Sequence, residues 1–451
     1  MARSFLLKSL MGIMAVFPLL FINCSTRFAT IVCNQDANDK DNLDIREGLV
    51  SQKAQQIKYK YHGKSCGVAY LTAPVMVAQA EQDEEWGFFQ FPNISTTDDG
   101  TLIVTWQMKA DSHKTYGKNA DRFVEPMMSK DGGITWVPRE KGYFTYRKGY
   151  DVNLDNGDIL RIYTHQSKDI NGYNHFPRAV VKKGSHSFYL MDSLPNDLQG
   201  IYLNRVMANH KSERIHAKLN DPGVLRYAIG NLMPIVWWGD VKILADHSLV
   251  AGIYPGYYLD SLGHVMSSGV SFYRSEDEGQ SWTILGKIPF QPDGIADKRG
   301  DSRFDEPTFE VLADSTFLCV MRTGMTSPMY RSFSTDRGQT WSRPEPFTPN
   351  GVLPKLLLLK NGVLVLVSGR PGIQVRFSFD GKGRIWSTPI DMIPFMHKDG
   401  TFTRDVSCGY PSIIETGDDT FYIVYSDFTT KDAYGKARKS IWCRKVTVNN
   451  L

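Results

Sequence analysis

The chain lacks most of what would make it helical, metal-binding or nucleic-acid-binding. No stretch holds the apolar period of about 3.6 residues that an amphipathic helix needs. Cysteine is scarce, at 6 in 451 residues, and the spacing of Cys33, Cys66, Cys319, Cys408 and Cys443 fits no zinc pattern. No metal or organic cofactor is expected. No long basic run occurs, and the net charge of +4 is spread along the chain, which argues against a nucleic-acid partner. The apolar run Ser9–Ile22 is short for a membrane span.

That run instead has the layout of a secretory leader. Arg3 and Lys8 precede it and Cys24 follows closely. The cysteine suggests a bacterial lipoprotein anchored to the membrane through Cys24, although Asn23 stands where a small residue is preferred; simple secretion is the alternative. The expectation is a signal over 1–23, a polar tether over 24–56, and export to the periplasm or cell surface. Export permits disulfides, but pairing cannot be read from the sequence. Cys319 and Cys443 lie in strand-like runs and read as buried thiols.

What the chain has in abundance is one repeated unit: an apolar strand, a tight polar turn and a second apolar strand. Copies begin at Phe91, Asp151, Asp240, Glu306, Leu353 and Tyr410. In four of them a proline (Pro92, Pro307, Pro354, Pro411) stands eight residues before the turn position (Gly100, Ser315, Gly362, Asp419). β-branched and aromatic residues flanking such turns predict hairpins. Six hairpins at a period of roughly 60 residues predict an all-β, six-bladed propeller over 57–451. The segment 166–234 is long and irregular; it is expected to hold the outer strands of blade two and an insertion. One of the early strand-like runs (IKYKY, VAYLTA, VMVAQ) is expected to pair with the C-terminal strand and close the ring.

A second repeat overlays the first. Ser129–Trp136, Ser275–Trp282 and Ser334–Trp341 share the form S-x-D-x-G-x-[ST]-W, and Ser378–Trp386 is a degraded copy. The serine and aspartate can bond turn backbone, glycine supplies positive φ, and the tryptophan is expected to pack under the next sheet. These aspartate boxes speak for fold rather than function.

In a blade, the start of the first strand and the end of the second share one sheet edge near the propeller axis. Gln90, Glu306 and Tyr410 stand at first-strand starts; Gln107, Thr164 or His165, Tyr254, Arg322, Arg370 and Asp427 stand at second-strand ends. One acid, two arginines and a tyrosine thus converge on one predicted rim. Trp237, Trp238, Asp240 and Tyr257 in blade three are candidates for a sugar-stacking platform, or for blade packing.

Aspartate boxes on a six-bladed propeller resemble the sialidase (neuraminidase) superfamily of exo-glycosidases, over about 86–427. The resemblance implies that Tyr410, in CGYPSIIETGDD, is a nucleophile and that Glu306, in DEPTFEVLADSTFLCVMR, is its base. It implies that Arg322 and Arg370, the latter in SGRPGIQVRFSFD, hold a substrate carboxylate. A phenol suits an anomeric carbon bearing a carboxylate, because a second anion would be repelled. The chain departs from the pattern at Gln90-Phe91-Pro92, where the superfamily has Arg-Ile-Pro. Either the sugar is not an ordinary sialic acid, or Lys109, Arg122 or Arg303 supplies the charge, or Gln90 reads a hydroxyl. The general acid is expected in the loop Gln107–Glu125, as Asp111, beside His113, or as Asp121; Asp405 and Asp427 are secondary candidates. The implied activity is removal of a terminal sugar from a glycan by a retaining mechanism. Rival readings are a glycosidase or lyase for another sugar using Asp111, His113 and Glu306, and a glycan-binding propeller without catalysis.

Overall fold

The computed structural model describes residues 31–35, 53–108, 125–140, 147–148, 151–162 and 168–451, the last span excepting 208, 210, 234, 236–240, 292, 297–302, 325–326, 395–396, 398–400 and 402–404. Among the described residues the secondary structure is strand, apart from two short 3-10 turns, Met191–Ser193 and Asn196–Leu198.

Six antiparallel blades follow one another along the chain. Blade one is Phe88–Thr96, Leu102–Met108, Met127–Ser129 and Val137–Pro138; blade two is Val152–Asn153, Ile159–Ile162, Ile201–Val206 and Ser212–Asn220. Blade three is Val241–Ile243, Leu249–Gly256, Gly269–Ser275 and Ser281–Ile288; blade four is Asp305–Val311, Phe317–Arg322, Met329–Ser334 and Glu345–Thr348. Blade five is Val352–Leu358, Leu364–Gly369, Ile373–Ser378 and Ile390–Ile393. Blade six is Ser412–Gly417, Thr420–Lys431 and Ala437–Asn450, with an outer strand supplied by the start of the chain. Val75–Gln79 pairs with Ser440–Cys443, and Lys64–Leu71 pairs with Val446–Asn450. Two of the three early runs therefore share the C-terminal strand, which closes the ring and covers its edge. The all-β, six-bladed propeller predicted from the repeats is the fold.

The hydrophobic residues of each blade face its neighbours. One cluster joins blades three and four through Phe272, Phe309 and Phe317, another joins four and five through Val320, Phe347 and Trp386, and another joins six and one through Val424, Ile94 and Val104. The aspartate boxes lie in the turns from third to fourth strands. In the first, Ser129 Oγ donates to Asp131 (2.7 Å) and accepts from the Gly133 N–H (2.8 Å), while Thr135 N donates to Asp131 (2.9 Å). The copies at Ser275 and Ser334 repeat these bonds, and the degraded copy keeps the serine–aspartate contact. One expectation needs correcting. The box tryptophans pack on the preceding sheet, not the next: Trp341 of blade four stacks on Phe272 of blade three at 4.3 Å, and Trp386 of blade five meets Phe347 of blade four at 5.3 Å.

The repeated proline also acquires a physical reason. Phe91, Glu306 and Leu353, each just before it, have φ of 51°, 46° and 42°. The strand register shifts there in all three blades, between Gln90 and Asn93, Asp305 and Thr308, and Val352 and Lys355. Each inner strand thus opens with a bulge turned by a left-handed residue, a costly conformation for a side chain with a Cβ. In blade six Gly409 (φ 71°) takes the left-handed turn one place earlier, ahead of Tyr410-Pro411.

Between the blade-two strands and after them, two hairpins combine into a separate four-stranded sheet: Val181–Lys183, His186–Leu190, Leu225–Ile229 and Asn231–Leu232. Its core is Tyr189, Leu194, Leu198, Ala228 and Leu232.

Candidate active site

The bulges of blades one and four bring their side chains to the same tyrosine. The Tyr410 hydroxyl donates to Glu306 Oε1 in a short hydrogen bond. Arg322 Nη1 donates to both, at 2.8 Å to Glu306 Oε1 and 2.9 Å to the Tyr410 hydroxyl. The second carboxylate oxygen, Oε2, accepts from the Leu353 N–H at 2.9 Å, tying blade four to the first strand of blade five. Glu306 is 5 % exposed. Three of the four residues expected on the rim therefore form one closed triad, although they lie on blades four and six.

Arg370 completes the group by a different route. Its guanidinium lies 5.4 Å from the Tyr410 ring centre and 5.7 Å from that of Trp86, and Nη2 donates to the Cys408 carbonyl at 2.8 Å. It approaches so closely because Gly369 and Gly409 let the two backbones touch: a Cβ on Gly369 would stand 1.9 Å from the Gly409 carbonyl oxygen. Phe91 packs edge-on to Tyr410 at 5.1 Å and to Trp86 at 6.4 Å. Trp86 is 44 % exposed and forms an open aromatic lip.

Burial first, and then the charge of Glu306, push the Tyr410 hydroxyl far above the ordinary range for tyrosine. At rest it is a neutral phenol whose proton already points at a carboxylate. Tyr254, at the end of the second strand of blade three, is raised as well, by burial first and then by Glu306 and Asp305. Asp305, next to Glu306, is raised by burial, against the pull of Arg303, with which it pairs at 2.8 Å.

Gln90 is fully buried, its Oε1 accepts from the Gly87 N–H at 2.8 Å, and its Nε2 has no partner among the described residues. Phe91 occupies the site side of that strand start. Arg303 is engaged with Asp305 at 2.8 Å, so its charge is paired within the protein. Asp427 is 2 % exposed and accepts two bonds from Thr429, while Asp405 is a solvated loop carboxylate, 83 % exposed, near His397. Asp111, His113 and Asp121, with Lys109, Arg122, Thr164, His165, Trp237, Trp238, Asp240 and Cys24, lie outside the described residues. Sequence reasoning missed Phe91, Trp86 and Asp305 as site neighbours. The signal for Phe91 was present, since it precedes the repeated proline as Glu306 does.

Among the described residues no cluster of histidine, cysteine or acidic side chains has the form of a metal site. Cys319, Cys408 and Cys443 are buried, the first and last of them as expected.

Comparison with known proteins agrees with this architecture. The family of BNR repeat-like domains matches residues 239–423. No curated protein matches the sequence. Among solved structures, a protein of unknown function from Dyadobacter fermentans superposes with a TM-score of 0.54 at 17 % identity, covering 84 % of this chain and 99 % of its own. That likeness is one of fold. A Hadza microbial sialidase gives 0.47 at 16 % identity, covering 88 % and 73 %; a Penicillium chrysogenum α-L-arabinanase gives 0.46 at 14 %, covering 83 % and 98 %.

Proposed function

We propose that this chain, a sialidase-like BNR-repeat propeller, is an exported, exo-acting retaining glycoside hydrolase that removes a terminal sugar from a glycan with Tyr410 as nucleophile. The observation that carries the reading is the Tyr410–Glu306–Arg322 triad: a buried neutral phenol whose proton is aimed at a carboxylate, with a guanidinium touching both oxygens.

In the first step the Tyr410 oxygen forms a bond to the anomeric carbon as the glycosidic C–O bond breaks. The phenolic proton passes to Glu306 Oε1, so a full phenolate never has to exist in the buried site. Arg322 stabilises the charge that moves between the two oxygens. The departing oxygen takes a proton from a general acid, for which Asp111 and Asp121 are the candidates. In the second step water attacks the anomeric carbon and gives its proton to the carboxylate that served as the general acid, while the Tyr410–carbon bond breaks and Glu306 returns its proton to the phenolate. Two displacements retain configuration. No metal or organic cofactor enters this scheme.

Arg322 and Arg370 are the groups on hand for a substrate carboxylate. A third arginine would add about 1.5–3 kcal/mol for a charge-assisted bond. The burial of Gln90 and the placement of Phe91 favour a second reading within the same chemistry, in which the terminal sugar bears no anomeric carboxylate.

The test is turnover of the purified chain on fluorogenic sialosides beside neutral and other acidic glycosides, with Tyr410→Phe in parallel. A fluorinated glycoside that slows the second step should leave its sugar on the Tyr410 peptide, detected by mass spectrometry. Cleavage that persists in Tyr410→Phe would overturn the tyrosine mechanism. Binding without turnover on every glycoside would overturn the hydrolase.

A further inference from the structure

The insertion sheet is not a bystander at the blade-two periphery. The Leu225 N–H bonds the Tyr257 carbonyl at 2.9 Å, docking the sheet onto the loop that leaves the second strand of blade three. Tyr254, whose hydroxyl pKa is raised by burial first and then by the charges of Glu306 and Asp305, stands two residues before the end of that same strand.

Strand alternation sorts the side chains of this small sheet. Tyr189 and Ala228 point into its own core. Phe188 and Tyr227, directly opposite one another in the register, point the other way. Phe188 is buried and serves as a base. On it stand Tyr257, edge-on at 5.2 Å, and Tyr227, which meets Tyr257 at 5.4 Å and carries His186 stacked nearly parallel at 5.8 Å. His186, Tyr227 and Tyr257 are all half-buried. A face meant only for solvent has no use for three aromatic rings.

The strip also runs to the reaction centre. Ser268 accepts the Gly256 N–H on its Oγ at 3.1 Å and the Phe304 N–H on its carbonyl at 2.9 Å, which ties the turn at Tyr257 to the strand start where Arg303 pairs with Asp305 at 2.8 Å, and Asp305 is the residue beside Glu306. The Arg303 side chain is half exposed. From the triad outward the surface therefore passes through an ion pair whose charges cancel, rich in hydrogen-bonding groups, onto an aromatic shelf.

We propose that this strip is the leaving-group side of the substrate site, and that it holds the neutral sugars that follow the scissile bond. The direction of the assignment rests on the hydrolase reading above. Arg303 and Asp305 would read hydroxyls of the first such sugar. Tyr257, Tyr227 and His186 would stack on the apolar C–H faces of that sugar and the next. The enzyme is then built for a terminal sugar on an oligosaccharide, not for one on a small aglycone.

The experiment compares two substrates that share the same terminal sugar. One is its glycosyl fluoride, whose leaving group is too small to reach the shelf; the other is a trisaccharide with two neutral sugars behind the scissile bond. Tyr227→Ala should lower kcat/KM on the trisaccharide about tenfold, the effect of losing one aromatic stacking contact, while the fluoride stays within about twofold. His186→Ala removes the outermost ring and leaves Phe188 and Tyr227 themselves in place. It should lower the trisaccharide value about threefold, and it serves if Tyr227→Ala does not fold. Equal losses on both substrates, or none on the trisaccharide, would overturn the assignment. Titration of the same trisaccharide into Tyr410→Phe, with and without Tyr227→Ala, reads the shelf without catalysis. Weaker binding in the double variant upholds the shelf even if no glycoside is turned over and the hydrolase reading falls. Unchanged binding there sinks the shelf even if hydrolysis is observed.

Discussion

Glu306→Gln is the substitution that separates the proposed chemistry from mere packing most sharply. The carboxylate uses both oxygens. Oε1 faces two donors, Arg322 and the Tyr410 hydroxyl, and Oε2 faces a third, the Leu353 N–H. An amide offers one acceptor and one donor, so either orientation sets its NH2 against an N–H or O–H donor. It also leaves the Arg322 guanidinium, 14 % exposed, without its closest counter-charge. Breaking a buried ion pair from one side typically costs about 3–5 kcal/mol. Asp305 lies within electrostatic reach of Arg322 and offsets part of that, so the expected loss is about 3 kcal/mol. Urea denaturation of both proteins measures it through the shift of the midpoint at constant slope. Turnover should fall at the same time by about 10²–10⁴-fold, the usual contribution of a positioned base. Glu306→Asp keeps the charge but shortens the reach to Tyr410, so it should recover part of the stability and little of the turnover. A Glu306→Gln protein within about 1 kcal/mol of wild type, turning over normally, would refute both the charge argument and the proton-acceptor role.

Three further expectations follow from particular contacts. Gly369→Ala places a Cβ against the Gly409 backbone, which no rotamer change can relieve. It should cost about 1–3 kcal/mol and separate Arg370 from Tyr410, seen as a raised KM; Gly362→Ala, in open space at φ 85°, should leave KM alone. Asp427 is pushed by burial from its ordinary 3.8 up to about 6, against the opposing hydrogen bonds of Thr429. The native state thus holds that proton more tightly than the unfolded chain does. The stabilisation is complete well below pH 4 and lost as pH rises through about 6, so wild type should lose about 2 kcal/mol relative to Asp427→Asn between pH 4 and 7 in denaturation experiments. Lipidation at Cys24 predicts that cells fed labelled palmitate incorporate label into the wild-type chain and not into Cys24→Ser; label in both would end that reading.

The fold was legible because its determinants are local and repeated. The proline-to-turn offset, the Asp-Gly and Asn-Gly turns and the aspartate boxes each constrain a few consecutive residues, and the blade assembles from them. The triad was legible for the same reason: Glu306, Arg322 and Tyr410 hold defined places in the repeat. The neighbours of the triad were not. Trp86 precedes the first strand and follows no period, and its place beside Arg370 depends on how blades five, six and one meet around the axis. The aromatic shelf depends on two hairpins separated by the outer strands of blade two, a juxtaposition that no spacing along the chain announces. Gln90 misled in a different way. Its position in the repeat is a rim position, but the bulge at Phe91 turns the next residue toward the site and leaves the glutamine inside.

That bulge links the repeat to the chemistry. Blades one, four and five spend the same unfavourable left-handed residue at the same place, before the same proline, and fill it with Phe91, Glu306 and Leu353. If the bulge served the fold alone, glycine would relieve the strain at each position, as Gly409 does in blade six. Three side chains stand there instead: two of them touch Tyr410, and the third, Leu353, packs into the core while its backbone N–H holds Glu306. A backbone device common to several blades thus presents different side chains to one axis. The residues that differ at a shared position, rather than those that recur, are where this propeller's chemistry is written.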